Sequence, residues 1–290
     1  MARTARLKKQ GDAYYHVMSR ANNKAFLFIR GRMKKEMVSL LERAAAFSGV
    51  ELKAFCMMDS HFHVVCRVAR PEGPVPEPEV LSRIGKLKGG RFALDLKLRW
   101  MELRKSGMAE TVEAELNAWR RRMHDVSEFA KTYKELVSIA YKRETRYAGS
   151  IWSGRFASTL VEPGHHLAVC IRYVELNPVR AGIVTQAKDY AYSSSNSSRP
   201  NVFWPAAGSV PGGGGCGGEG GDWPLTEEEE KRLLRRIAQI GAGKIFGSLA
   251  FVQKTAFAFG RCFNGAAAAR PVFASAYSTH GHRLAAEEAA

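Results

Sequence analysis

The chain has 290 residues, of which 46% are hydrophobic, enough for a packed core and too many for a wholly disordered protein. Its formal net charge is +16, and residues 201–290 hold only 9 Lys/Arg against 8 Asp/Glu, so +15 sits in the first 200 residues; such an excess favours a polyanionic partner, nucleic acid first. No unbroken apolar run approaches the length of a membrane span, and the cysteines at 56, 66, 170, 216 and 262 lack the paired spacing of a disulfide framework, which together indicate a cytoplasmic, nucleoid-associated protein with reduced thiols.

After a basic arm (Arg3, Arg6, Lys8, Lys9), the run Tyr14–Arg20 is rich in β-formers and predicts a strand. Ala21-Asn22-Asn23 follows as a turn, where short polar side chains bond their own backbone. A helix fits Met33 to Ser48, with Met37, Leu40, Leu41 and Ala44 on one face and Gly49 as its stop. Residues 54–68 then read as extended chain, in which Ala54, Cys56, Met58, Phe62, Val64, Cys66 and Val68 form one apolar face. His61 and His63 fall together on the other face. Two adjacent imidazoles can hold one divalent cation from a single side and leave positions open for substrate. Taken alone, the triplet reads as two partly exposed strand histidines before it reads as a metal site.

Pro71–Pro78 is a loop, and residues 81–122 are helical in pattern, broken at Gly89-Gly90 and Gly107. The next helix runs from Val126 to Thr145 with a stripe of Phe129, Tyr133, Leu136, Val137 and Ala140, and Ala157–Val161 predicts a strand. Pro163-Gly164 precedes a helix starting near His165. Ser193 to Gly221 has linker composition; beyond it Thr226 and Glu229 match a capping box ahead of Leu233, Leu234, Ile237 and Ile240, and Phe246–Phe263 fits one more helix. The organisation expected is a domain over residues 1–195 with a helical insertion at about 80–122, a Gly/Ser-rich linker at 196–222, and a small helical extension at 223–290.

In the helix after His165, Leu167, Cys170, Ile171 and Val174 have the spacing of a buried stripe, and Tyr173 and Asn177 are neighbours on a different face. Pro178 biases Asn177 out of the helical region and ends the helix. A phenol beside a divalent cation is an oxygen nucleophile towards a phosphate. Tyr133, Tyr141 and Tyr147 compete for that role, and spacing does not choose among them.

His61-Phe62-His63, followed by Arg172-Tyr173-Val174-Glu175-Leu176-Asn177-Pro178-Val179-Arg180-Ala181-Gly182, resembles the single-tyrosine HUH transposases, and among them the REP-associated tyrosine transposase branch. Tyr15-His16-Val17-Met18-Ser19-Arg20-Ala21-Asn22-Asn23, Trp152-Ser153-Gly154-Arg155-Phe156 and Asp189-Tyr190-Ala191-Tyr192-Ser193-Ser194 extend the resemblance over residues 12–195. It implies an α+β fold of HUH (ferredoxin-like) type, with a largely antiparallel central sheet flanked by helices. It implies Mg²⁺ or Mn²⁺ held by His61, His63 and Asn177, with Tyr173 as nucleophile. The implied reaction is cleavage of single-stranded DNA, a palindromic hairpin, through a 5′-phosphotyrosine link, then strand transfer in transposition, by a monomer or homodimer. Arg20, Asn22, Asn23, Arg155 and Arg180, all within matching motifs, are placed on the DNA; Trp100 and Trp119 are further candidates for base stacking. Asp59-Ser60 departs from the family pattern before the first histidine, as does Ala21 after the early strand, and Asp59 reads as a turn residue before it reads as a ligand. A non-catalytic nucleic-acid-binding module is the second reading, and a Zn²⁺ hydrolase lacking any visible third ligand is a weaker third.

Overall fold

The structure, a computed structural model, describes residues 7–9, 11–196 and 245–259. The linker and the capping-box helix expected from Thr226 lie outside these residues. The described chain is an α+β fold with a five-stranded, mostly antiparallel sheet flanked by helices.

Strand β1 (Ala13–Arg20) alternates strictly: Ala13, Tyr15, Val17 and Ser19 are buried, while Tyr14, His16 and Met18 are half-buried on the other side. Helix α1 (Gly31–Ser48) follows and ends where Gly49 takes a left-handed φ of 63°. A side chain at Gly49 would also strike Arg83 and His124, so glycine is required there twice over.

The extended stretch expected over 54–68 is not one strand. It is a hairpin of β2 (Val50–Met57) and β3 (His61–Val68), turning through Met58-Asp59-Ser60. A register shift at Lys53 moves the alternation of β2, so Leu52, Phe55 and Met57 join Phe62, Val64, Cys66 and Val68 in one core, whereas Ala54, Cys56 and Met58 lie on the histidine side. The apolar even face is thus split between the two sides of the sheet. The periodicity was right within each strand and wrong across the turn.

Strand order is β2-β3-β1-β4-β5, with β4 at Ala157–Val161 and β5 at Ile245–Phe246. Only the β4–β5 pairing is parallel. One side of the sheet is covered by α1 and α5 (Val126–Thr145), which bury Met37, Leu41, Phe129, Tyr133 and Val137 against Val17, Phe62 and Val64. The other side is covered by α6 (His165–Glu175). Full burial of each such aliphatic or aromatic side chain contributes about 1.5–3 kcal/mol.

The segment after β3 forms α2 (Glu77–Lys88), α3 (Gly90–Lys105) and α4 (Ala109–Arg120), broken at Gly89 and near Gly107 as the glycines predict. Its own core contains Trp100, fully buried and donating Nε1–H to Glu115 Oε2 at 2.8 Å, which removes it as a base-stacking surface. Trp119 is half-buried, edge-on to Phe47 with the Arg122 guanidinium 5.1 Å from its ring. Residues 190–194 return alongside β2, where Tyr192 O accepts from Met57 N and Phe55 O accepts from Ser194 N, each at 2.9 Å. Helix α8 (Leu249–Ala258), capped by Ser248, follows β5 and is tied to the end of β4 through Glu162, which accepts from the Ser248 backbone and hydroxyl. Among the described residues no helix is long and apolar enough to cross a membrane.

Candidate active site

Because β1 and β3 are antiparallel neighbours with Met18 opposite His63 and Arg20 opposite His61, the half-buried side of β1 faces the same way as the two histidines. The result is a row of three imidazoles. His61 and His63 have ring centroids 5.0 Å apart, and His16 lies 5.1 Å from His63 with the two planes only 17° apart. His16 Nε2 lies 2.9 Å from His63 Nδ1, and Ser60 Oγ lies 3.1 Å from His61 Nδ1. These contacts engage the Nδ1 atoms of His61 and His63, so an ion bound by both rings would meet their Nε2 atoms.

Helix α6 lowers Tyr173 onto this row. The phenol ring stands edge-on to both His16 and His63, with centroids 5.9 Å from each. Tyr173 was expected on a helix face apart from the Cys170, Ile171, Val174 stripe; it is instead buried with them at 9% exposure, because α6 lies flat on the sheet and turns a wide face inward. The competing tyrosines are elsewhere. Tyr133 and Tyr141 belong to the core on the opposite side, where Tyr133 Oη reaches Met57 Sδ at 3.2 Å, and Tyr147 is exposed beside Tyr141.

Burial and the positive charge of Arg180 hold His16 down at about 4; burial and Arg20 do the same to His61, also at about 4. His63 is pushed well below its ordinary range, chiefly by burial. All three rings are therefore neutral near pH 7 and carry a lone pair, the form a metal requires. The donor set fits a divalent ion in part: among the described residues no third His, Cys, Asp or Glu joins a cluster able to hold one, so the protein supplies two nitrogens and oxygen donors must fill the rest. Two imidazoles suit Mn²⁺ better than Mg²⁺, which prefers oxygens throughout.

Asn177 begins α7 (Asn177–Arg180), directly after a break at Leu176. Its Nδ2 donates to Tyr173 O at 3.1 Å and Val174 O at 3.3 Å, and its Oδ1 accepts from Arg180 Nη2 at 3.1 Å. The amide thus caps the helix end, and its oxygen, already accepting from Arg180, has one further lone pair. Arg180 also covers the Tyr173 ring, its guanidinium carbon 3.9 Å from the centroid. Arg20 is exposed at the His61 end, where its carbonyl accepts from Ser153 N at 3.0 Å; Asn22 N donates to Ile151 O, and Ala21 N to Ser60 O. The 20–23 turn, the histidine hairpin and the 151–153 loop thus converge. Asn22 is half-buried, and Asn23 is exposed with a φ of 53°. Arg155 is exposed and lines, with Lys131, Lys134, Lys142 and Trp152, a groove of about 810 Å³ along α5.

Asp59 is a turn residue with a structural partner. It pairs with the buried Lys34 of α1 at 2.5 Å, and Lys34 Nζ also sits over the rings of Tyr190 and Tyr192. One member of the site was not assigned from sequence: His16. Its strand alternation was visible, but its closeness to His63 depends on β1 pairing with β3, a non-local fact.

No protein-family model matches the chain, and no curated protein does. Among solved structures, a REP-associated tyrosine transposase bound to a REP hairpin aligns over 72% of this chain and 93% of its own, at 15% identity and a TM-score of 0.42. A likeness of that size assigns no role to any residue here, and the site stands on its own geometry.

Proposed function

We propose that the chain cleaves and rejoins single-stranded DNA, with Tyr173 as the nucleophile and His61 and His63 as the residues that would hold a divalent cation, Mn²⁺ or Mg²⁺. The observation that carries the reading is the Tyr173 ring resting on the histidine row. The phenol oxygen attacks a backbone phosphorus; a bond forms from Oη to phosphorus, the bond from phosphorus to the 3′-oxygen breaks, and that oxygen leaves as a 3′-hydroxyl after taking a proton. When bound, the ion supplies charge neutralisation at the phosphoryl oxygens. Burial fixes the phenol ring, and the Arg180 guanidinium lies over its face, 3.9 Å from the centroid. Arg20, exposed at the end of β1, and Arg155, exposed in the groove along α5, provide backbone contacts to the strand. A palindromic hairpin is the proposed target, with transposition as the process served.

The test is a denaturation-resistant protein–DNA adduct. With a single-stranded hairpin and Mn²⁺ the adduct forms in the wild type and is absent in Tyr173→Phe; an adduct that persists in that variant places the nucleophile elsewhere. A second reading has its own observation. The Asn177 amide is committed to helix carbonyls and Arg180, which suits a binding module that has left catalysis. That reading predicts salt-sensitive hairpin binding without adduct and without dependence on metal.

A further inference from the structure

We propose that His16 is a positioning residue for the metal site, accepting a hydrogen bond from His63 and so fixing which nitrogen of His63 faces the ion. The proposal rests on the reading above that His61 and His63 bind a cation. Its own support is the 2.9 Å approach of His16 Nε2 to His63 Nδ1 and the near-parallel planes of the two rings, 17° apart, which suit a hydrogen bond lying in both.

Proton placement decides which nitrogen of His63 is available. A neutral imidazole has one N–H and one lone pair. Two ring nitrogens 2.9 Å apart hold one proton between them, and there are two ways to place it. If His16 Nε2–H donates, the His63 proton sits on Nε2, where it blocks the ion. If His63 Nδ1–H donates, His63 Nε2 is a lone pair and His16 carries its own proton on Nδ1. Only the second arrangement binds metal. His61 does not need such a partner from a distant strand, because Ser60 Oγ, its chain neighbour, is within 3.1 Å of Nδ1.

Histidines that bind metal usually donate their remote N–H to a carboxylate, a carbonyl or water, and loss of that acceptor weakens metal binding. Here a second imidazole fills the place. His16 also touches the Tyr173 ring edge-on at 5.9 Å, so one side chain borders the proposed nucleophile and orients the proposed ligand. Its placement follows from β1 alternation and the register that sets Met18 opposite His63, which makes His16 the diagonal neighbour of His63.

The experiment reads Mn²⁺ affinity by calorimetry on the full chain without DNA, together with long-range nitrogen–proton NMR of the metal-free protein. The spectra should show the His63 proton on Nδ1 and the His16 proton on Nδ1. His16→Phe should bind Mn²⁺ about 10–100-fold more weakly. His16→Gln, whose amide oxygen reaches the position of Nε2, should recover most of the loss. His16→Phe binding as tightly as wild type, or a His63 proton found on Nε2, overturns the role of His16. Wild-type protein whose Mn²⁺ binding is unaffected by His63→Ala instead overturns the metal reading beneath it. The NMR result needs no variant, so a misfolded His16→Phe does not shelter the proposal.

Discussion

The two sides of one sheet are built from the same strands and do opposite things. Towards α1 and α5, Phe62, Val64 and Cys66 pack into an apolar core with 0% exposure each. Towards α6, the intervening positions carry His61 and His63, and β1 adds His16 from its own alternation. Apolar packing tolerates neither a lone polar group nor a void, whereas the histidine side holds polar rings that satisfy one another and remain neutral. A one-residue slip of β3 would exchange the two sides. The hairpin turn and the Lys53 bulge therefore define where chemistry is permitted as much as they define shape.

The contrast can be broken on either side. Tyr173→Phe has the largest expected effect: adduct formation falls to nothing, while thermal unfolding stays near wild type because the ring remains in its packing. Phe62→Ala, on the apolar side, should lower stability by about 3–5 kcal/mol in denaturant unfolding, with Mn²⁺ affinity unchanged in the folded fraction. Asp59→Asn should cost about 1–3 kcal/mol by leaving the buried Lys34 without its counter-charge, again without loss of Mn²⁺ affinity; a loss of affinity would make Asp59 a ligand after all.

Acid sharpens the comparison more gently. The folded-state values of His16 and His61 lie near 4 against an ordinary 6.5, and His63 is also depressed. Between those limits the unfolded chain binds protons that the folded chain refuses, so this contribution to stability is fully present above 6.5 and is lost as pH falls towards 4. Melting temperature measured across that interval should decline, and the decline should be shallower in His16→Gln. An equal slope in both proteins would mean that His16 titrates normally.

Much of this was readable beforehand, and the failures have particular causes. Glycine stops and helical periodicity marked the helices correctly at Gly49, Gly89 and the Val126–Thr145 stripe, because these signals act over a few residues; proline misled, since Pro78 and Pro178 each sit in the first turn of a helix, and Asn177 is helical after all. The joining of 54–68 into one strand failed because Met57-Met58 kept the apolar pattern running into a turn that Asp59-Ser60 had already signalled. That Tyr173 meets the histidines, and that Tyr133 does not, depends on which side of the sheet each helix covers. The β5 pairing was missed outright, since a two-residue strand has too few positions to show a period. His16 needed the strand order. No local pattern encodes it.

The return of residues 190–194 along β2 has a consequence for how copies of this protein treat one another. A bare outer strand offers open N–H and C=O groups to any passing chain and seeds association. Here Phe55 and Met57 spend those groups within their own molecule, with Tyr190 Oη adding a bond to Met57 O at 2.7 Å. That flank of the sheet is closed to strand addition at these positions, so self-association by lengthening the sheet there is disfavoured.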